Sequence, residues 1–172
     1  MKKLLLSFLV LTSMIACTTK ESKTENSSNN YPANASGYNL DSSDHINIAI
    51  NATKAGIGFD TTTLKTFYSD NAEIVDNKIT QSLHEYIKSW SQVFGSGVAV
   101  KLDSIPVIWE SVRNKEDKMG IKNYVHGYVF ATATRGGKKV GFISNFVYAF
   151  KDGKIVKEWD TYDSAPIVEL LK

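Results

Sequence analysis

The fold of this chain is decided by residues Val140–Asp163, which read VGFISNFVYAFKDGKIVKEWDTYD. Two runs rich in β-branched and aromatic residues flank Asp152-Gly153. An Asp-Gly pair between such runs is a strong hairpin signal, because Gly accepts the positive φ of a tight turn. The stretch therefore predicts two long antiparallel strands. In the first strand, apolar side chains occupy both alternating sets of positions, so both faces of the sheet must be covered.

The amino terminus has the pattern of an export signal. A basic Lys2-Lys3 pair precedes a largely apolar run, Leu4–Ile15, that is too short to span a bilayer. The single cysteine, Cys17, follows this run, and the arrangement resembles the lipobox of bacterial lipoproteins, with Met14 where that motif usually has Leu. The resemblance implies that residues 1–16 are a signal peptide and that Cys17 becomes lipidated. The alternative is an ordinary secretory signal with a coincidental cysteine.

The segment after Cys17 separates this signal from the folded part of the chain. Residues 17–39 are rich in Ser, Thr, Asn, Lys and Glu, which predicts a flexible tether. Residues 40–172 have the length of one domain. A lipidated Cys17 leaves no cysteine for a disulfide, so the stability of this domain must come from its core. We expect a lipid-anchored protein of the bacterial cell envelope, in the outer membrane and facing the periplasm or the surface.

Charge argues against a nucleic-acid partner. The chain has 20 basic and 18 acidic residues, and removing Lys2 and Lys3 with the signal leaves 18 of each. Binding to nucleic acid depends on basic residues that neutralise phosphates, so a neutral domain is a poor candidate for it.

Periodicity along the domain predicts three helices and a sheet. Apolar residues recur at three- and four-residue spacing over about residues 44–57, 61–68 and 81–94, the last helix being capped by Thr80. A short strand at residues 72–76 separates the second and third helices. Long strands follow, and Pro106 indicates a bulge or an edge in the first of them. This order predicts an α+β domain with its helices gathered on one side of a curved sheet.

This order of elements resembles a known superfamily. Together with the segment Phe67–Asp76 and the closing hairpin Phe150–Asp163, it resembles the nuclear transport factor 2 superfamily, in particular its SnoaL-like, polyketide-cyclase-like branch. The resemblance covers about residues 42–172. It implies a cone-shaped, curved antiparallel sheet wrapped around three amino-terminal helices, an α+β roll also called cystatin-like. It also implies a pocket inside the cone and a homodimer formed through the outer face of the sheet.

Asp76 is the candidate general base. In steroid-isomerase-like members of the superfamily the base is the Asp that ends the first strand, and the resemblance places Asp76 at that position. A carboxylate at the mouth of an apolar cavity is partly desolvated, which raises its pKa and suits it to proton transfer. The alternative is that Asp76 and Asn77 only form a turn. Asn145 stands where these isomerases carry an acidic oxyanion-hole residue, and an amide is a weaker donor there.

Strand register predicts which side chains share one sheet face. If Gly136-Gly137 and Asp152-Gly153 are both two-residue turns, Asn145 lies opposite Tyr128 on one side and opposite Asp160 on the other. A bulged turn at Asp152-Gly153 would shift the last strand and undo the second pairing. Because the resemblance places Asn145 inside, the predicted pocket face carries Tyr124, His126, Tyr128, Phe130, Ile143, Asn145, Val147, Glu158 and Asp160.

The remaining candidates follow from this choice of face. His126 is either a catalytic group or a hydrogen-bonded histidine of the sheet, and Trp90 on the third helix is either a ligand contact or a core residue. The opposite face is expected to be the outer one and to need a partner to cover it. It carries Val125, Val129, Ala131, Phe142, Phe146, Tyr148 and Trp159.

Function is less constrained than fold. The three histidines show no metal-ligand spacing, so neither a metal nor a cofactor is expected. Our leading hypothesis is a lipid-anchored protein whose cavity binds a small apolar or aromatic ligand. One alternative is an isomerase, cyclase or dehydratase that uses Asp76 as its base. The other is a non-catalytic module that binds proteins.

Overall fold

The computed structural model describes residues 37–172. Among these residues no helix has both the length and the apolar character required to cross a membrane. The predicted signal peptide, the lipidation site at Cys17 and most of the predicted tether lie outside the described residues. The elements in chain order are β1 (Gly37–Leu40), α1 (Asp44–Ile57), α2 (Thr61–Lys65), β2 (Tyr68–Asp76), β3 (Ile79–Ser82), α3 (Leu83–Gly95), β4 (Ala99–Arg113), β5 (Asn123–Arg135), β6 (Lys138–Lys151), β7 (Lys154–Tyr162) and α4 (Ala165–Leu171).

These strands form one curved, unclosed sheet in the order β1-β4-β5-β6-β7-β2-β3. All neighbouring strands are antiparallel except β2 and β7, which run parallel, so the sheet is mixed. The register of β4 against β5 shifts on both sides of Ser104, close to Pro106, where the sequence predicted a bulge or an edge. The predicted α+β class with a curved sheet and helices is confirmed.

Both predicted tight turns are present. Gly136 and Gly137 have φ of 55° and 83°, and Asp152 and Gly153 have φ of 50° and 72°. Positive φ at both central residues is the signature of the two-residue hairpin turn whose twist matches that of the strands. Across the first turn, Tyr128 pairs with Asn145, as predicted.

The predicted register of the last hairpin is wrong by one residue. Phe150 pairs with Ile155 and Ala149 with Lys157, which leaves Val156 as an extra residue in β7. A bulge of this kind shifts every later pair, so Asp160 lies opposite Phe146 and not opposite Asn145. The side chains of Glu158 and Asp160 therefore project from the other face of the sheet.

Helices α1 and α3 begin at residues with clear capping chemistry. The Ser43 side chain accepts a hydrogen bond of 3.0 Å from the Ile46 backbone N–H at the start of α1. Ser82 and Glu85 form a reciprocal capping box, so α3 begins at Leu83 and not directly after Thr80. The residues before it pair with β2 as strand β3.

The core lies between the helices and the face of the sheet that was predicted to be the outer one. Ile46, Ala49 and Ala52 of α1 are buried in one cluster with Phe146 and Tyr148 of β6. That assignment of faces was therefore wrong. Both faces of β5 and β6 are apolar, so alternation shows which residues share a face but not which face the helices cover. Trp159, predicted to share a face with Phe146, pairs instead with Val147.

Candidate functional site

A cavity lies between the helices and the buried face of the sheet. Its volume is about 80 Å³, whereas one water needs roughly 10–15 Å³ measured the same way. Its wall is mostly apolar, with aliphatic side chains from α1, α2 and α3. The aromatic residues in the wall are Phe59, Tyr86, Trp90, Phe94, Phe142, Phe146 and Tyr148.

The polar end of the cavity is formed by Glu158 and Asp160 of β7 and Ser144 of β6. Alternation along β7 directs the two carboxyl groups to the same face. The parallel strand β2 extends this polar region, because Asp76 is the register partner of Asp160. Three carboxyl groups therefore share one face of the sheet, and two of them line the cavity.

Each of these carboxyl groups accepts a hydrogen bond from a hydroxyl group. The Tyr68 hydroxyl donates to Glu158 Oε2 at 2.6 Å, and the Ser144 hydroxyl donates to Asp160 Oδ1. The Tyr162 hydroxyl donates a longer bond, 3.4 Å, to Asp76 Oδ2. None of the salt bridges within residues 37–172 includes any of the three carboxyl groups.

Burial without a positive partner raises the pKa of all three groups. Desolvation, together with the negative charge of Asp160, raises the pKa of Glu158 to about 8. Desolvation and the charge of Asp76 raise the pKa of Asp160 to about 7. The pKa of Asp76 is also raised, again by burial, although hydrogen bonds from Tyr162 and Trp90 oppose the shift. Near neutral pH, Glu158 and Asp160 therefore keep a larger share of their protons than exposed carboxyl groups do.

Another buried acid in the same domain shows the usual compensation. Glu110 is 1% exposed, and its Oε1 lies 2.7 Å from His45 Nδ1 and accepts a bond of 2.6 Å from Asn123 Nδ2. Burial raises the pKa of Glu110, but hydrogen bonds from Ser43, Asn123 and His45 outweigh it and the pKa is lowered. The Glu110 carboxylate therefore has polar partners on the protein, namely His45 and Asn123. Among the described residues, no cation lies opposite Glu158 or Asp160.

Several of the residues proposed from the sequence do lie at this site. Asp160, Glu158 and Trp90 line the cavity. Asp76 faces the same side and is half-buried beside the cavity, without being part of its lining. Their roles in binding or catalysis stay predictions.

The other proposed residues lie on the outer face of the sheet. Tyr128 and Phe130 are each 41% exposed and Ile143 is 56% exposed, so they do not line the cavity. His126 stacks on Trp109 with ring centroids 5.0 Å apart, and the Tyr124 hydroxyl donates to Asp117. None of the following lines the cavity: Tyr124, His126, Tyr128, Phe130, Ile143, Asn145 and Val147. The homodimer predicted to form through the sheet stays a prediction.

Sequence reasoning missed Phe142, Phe146 and Tyr148 as parts of the site, because they were assigned to the outer face, and it gave Ser144 no role. The sequence does hold a signal that separates the two faces. On the buried face, β5 presents small residues such as Gly127 and Ala131, whereas its outer face presents Tyr128 and Phe130. Small side chains leave room for large neighbours and helices, so the face that carries them is the better candidate for the interior.

The described residues do not offer a metal site. No group of three or more His, Cys, Asp or Glu side chains between 37 and 172 is arranged to hold a metal ion. The three carboxyl groups share a face, but their oxygens do not converge on one point in the way a metal ion requires.

Comparison with known proteins identifies the fold. No protein-family profile and no curated sequence matches the chain. Among solved structures, an NTF2-like protein of unknown function from Burkholderia pseudomallei K96243 matches with a TM-score of 0.55 and 12% identity, over 76% of this chain and 99% of that one. A protein described as a SnoaL-like polyketide cyclase from Jannaschia sp. CCS1 matches with a TM-score of 0.52 and 11% identity, over 77% and 96%.

A third similar structure is an LEH-like epoxide hydrolase from Mycobacterium tuberculosis, with a TM-score of 0.54 and 17% identity over 74% of this chain and 84% of that one. At such identities the likeness shows the fold alone. The domain has the NTF2-like fold, as the resemblance in the sequence predicted.

Proposed function

We propose that the domain binds a small, largely apolar molecule in its cavity and that the protein is held in the bacterial cell envelope by a lipid on Cys17. The observation that supports binding is an aromatic-lined cavity with two acids, Glu158 and Asp160, at one end. Such pockets, mostly apolar with a few converging polar groups, are the usual form of small-molecule sites. Burying carboxyl groups destabilises the fold, so a ligand-binding role gives a reason for keeping them.

Proton-transfer catalysis is the second candidate. A carboxyl group with a pKa of about 7, as Asp160 has, can give or take a proton near neutral pH. Two of the similar structures are described as a polyketide cyclase and an epoxide hydrolase, which supports an isomerase, cyclase or dehydratase as the reaction class to test. The candidate bases are Asp160 and Asp76. A protein-binding module that uses the outer face is the remaining alternative.

Ligand binding can be tested with a simple neutral probe. We expect benzyl alcohol, titrated into the chain that lacks residues 1–16 and carries Cys17→Ser, to shift amide NMR signals around the cavity. Ile87→Trp, which places a larger side chain in the cavity wall, should weaken binding by about tenfold or more, since the ring occupies the ligand's space. Phe130→Ala on the outer face is the matched control and should leave binding unchanged.

The opposite pattern would contradict the proposal. If Phe130→Ala weakens the binding of benzyl alcohol and Ile87→Trp does not, the probe binds the outer face. If no signals shift, the cavity does not accept such ligands.

The lipid anchor is tested at Cys17. We expect cells that express the full chain with labelled palmitate to yield a labelled protein in the membrane fraction, because the sequence before Cys17 resembles a lipobox. The Cys17→Ser chain should lose both the label and the membrane association, since the thiol that carries the lipid is gone. A Cys17→Ser protein that keeps the label would refute lipidation at this residue.

A further inference from the structure

We propose that the ligand of this cavity is a small organic cation, an amine or a quaternary ammonium, held between the carboxyl groups of Glu158 and Asp160 and the surrounding aromatic rings. The inference rests on the proposed function of the cavity as a binding site and adds the chemical class of the ligand.

The first observation is the missing positive charge. Glu158 is 3% exposed and lines the cavity, and the hydrogen bond that it accepts from the described residues comes from Tyr68. Asp160, which is only partly buried, accepts a hydrogen bond from the Ser144 hydroxyl, and no cation among the described residues lies opposite it. Glu110, whose side chain is also shielded from solvent, faces His45. Buried carboxylates are ordinarily paired, so a cation that enters this cavity supplies the partner that the described residues do not.

The second observation is the aromatic wall. Trp90 lies between Tyr86 and Phe94, with ring centroids 6.3 Å and 6.1 Å away, and all three line the cavity. Phe142 lines it from the sheet. The faces of such rings attract cations, Trp most strongly, and aromatic walls combined with acids are the typical means of recognising ammonium groups. A metal ion does not fit, because the oxygens do not converge, whereas an ammonium group can contact separate acids and rings at once.

The groups around the two acids reinforce this charge preference. The ionisable groups that face Glu158 and Asp160 are Asp76 and Tyr68 from β2, Tyr86 from α3, Tyr148 from β6 and Tyr162 from β7. When ionised, each of them is negative. Any of these groups that is ionised would therefore repel an anionic ligand and attract a cation, and none of them would hold an anion by charge.

Proton linkage predicts how the affinity for a cation changes with pH. With pKa values raised to about 8 and about 7, Glu158 and Asp160 are largely protonated at pH 6. A cation favours the carboxylates, so it binds more tightly as the pH rises from about 6 to about 8, and binding releases protons. An alkylamine stays protonated over this range, as a lysine side chain does. The affinity for a neutral ligand does not rise as these carboxyl groups ionise.

The test compares isobutylamine with isobutanol, which share one carbon skeleton. Both are titrated into the chain that lacks residues 1–16 and carries Cys17→Ser, with amide NMR signals of the cavity as the readout. At pH 8 the amine should bind at least about tenfold more tightly than the alcohol. Its affinity should rise by about tenfold or more from pH 6 to pH 8, while that of the alcohol stays constant.

Two variants assign the effect to the cavity. Asp160→Asn should remove most of the preference for the amine, so that the two ligands bind this variant with similar affinities. Glu158→Gln gives the same comparison if the first variant fails to fold. Asp70→Asn, an exposed acid on β2, is the control and should change neither affinity. Alcohol binding equal to or tighter than amine binding overturns the cation inference but keeps the cavity as a binding site. Failure of both ligands overturns the inference and the proposed function together.

Discussion

Raising the pH from 5 to 8 should destabilise the folded domain by at least about 3 kcal/mol. In the unfolded chain Glu158 and Asp160 lose their protons near their ordinary pKa values of 4.5 and 3.8, whereas in the folded domain burial raises these to about 8 and about 7. Between these limits the folded state binds more protons than the unfolded state. The free energy of unfolding therefore falls as the pH rises, and it levels off above pH 8.

Urea unfolding at several pH values measures this slope. The double variant Glu158→Gln, Asp160→Asn should have a clearly flatter profile over the same range, because of the three acids with raised pKa values it keeps only Asp76. Glu110 should behave in the opposite way. Its pKa is lowered in the folded domain, so its contribution to the free energy of unfolding is lost only at acid pH, below 4.5. A domain whose stability is constant or rises between pH 5 and 8 would show that the two acids are not desolvated in solution.

Phe146→Ala should lower the free energy of unfolding by about 3–5 kcal/mol, the usual loss for a large buried aromatic side chain. Phe146 is 2% exposed, and its ring stacks on Tyr148 with centroids 4.5 Å apart. Its ring also covers Gly127, where an added Cβ would lie 2.4 Å from Phe146 Cζ. Ile143→Ala on the same strand is the control, since Ile143 is exposed and should change stability by less than about 1 kcal/mol.

The contact with Gly127 makes this prediction sharper. Gly127→Ala alone should destabilise by about 1–3 kcal/mol, because the new methyl group collides with the ring. In the Phe146→Ala background the ring is absent, so the new methyl group meets no obstacle there. The double variant should therefore lose clearly less unfolding free energy than the two single variants lose together. A double-mutant cycle measured by urea unfolding reports the difference. Strictly additive effects would mean that the ring does not pack on Gly127.

Local chemistry made much of this fold predictable. The hairpins at Gly136-Gly137 and Asp152-Gly153 follow from the positive φ that those residues accept, and the register of β5 on β6 follows from the first turn. Asp76 was predicted at the end of a strand, and its carboxyl group does face the side of the sheet that forms the cavity.

What could not be predicted depends on contacts distant in sequence. The bulge at Val156 has no local signal, yet it decides that Glu158 and Asp160 face the cavity. Both faces of the sheet are apolar, so alternation alone does not show which face α1 covers. Strand β1 and helix α4 are too short for periodicity to reveal. Helix α4 is held in part by the Arg135 side chain, which donates a bond of 2.7 Å to the Leu170 carbonyl.

The parallel pairing of β2 with β7 determines when the domain can fold. Tyr68 and Glu158 are 90 residues apart in the chain, yet their side chains form one hydrogen bond at the polar end of the cavity. Closing such a long loop is slow, and no shorter piece of the chain can complete this part of the sheet. A nascent chain must expose nearly all its residues before the cavity exists. If residues 1–16 act as the export signal that the sequence predicts, this delay would keep the chain unfolded, and so able to cross a membrane, until its last strand has been made.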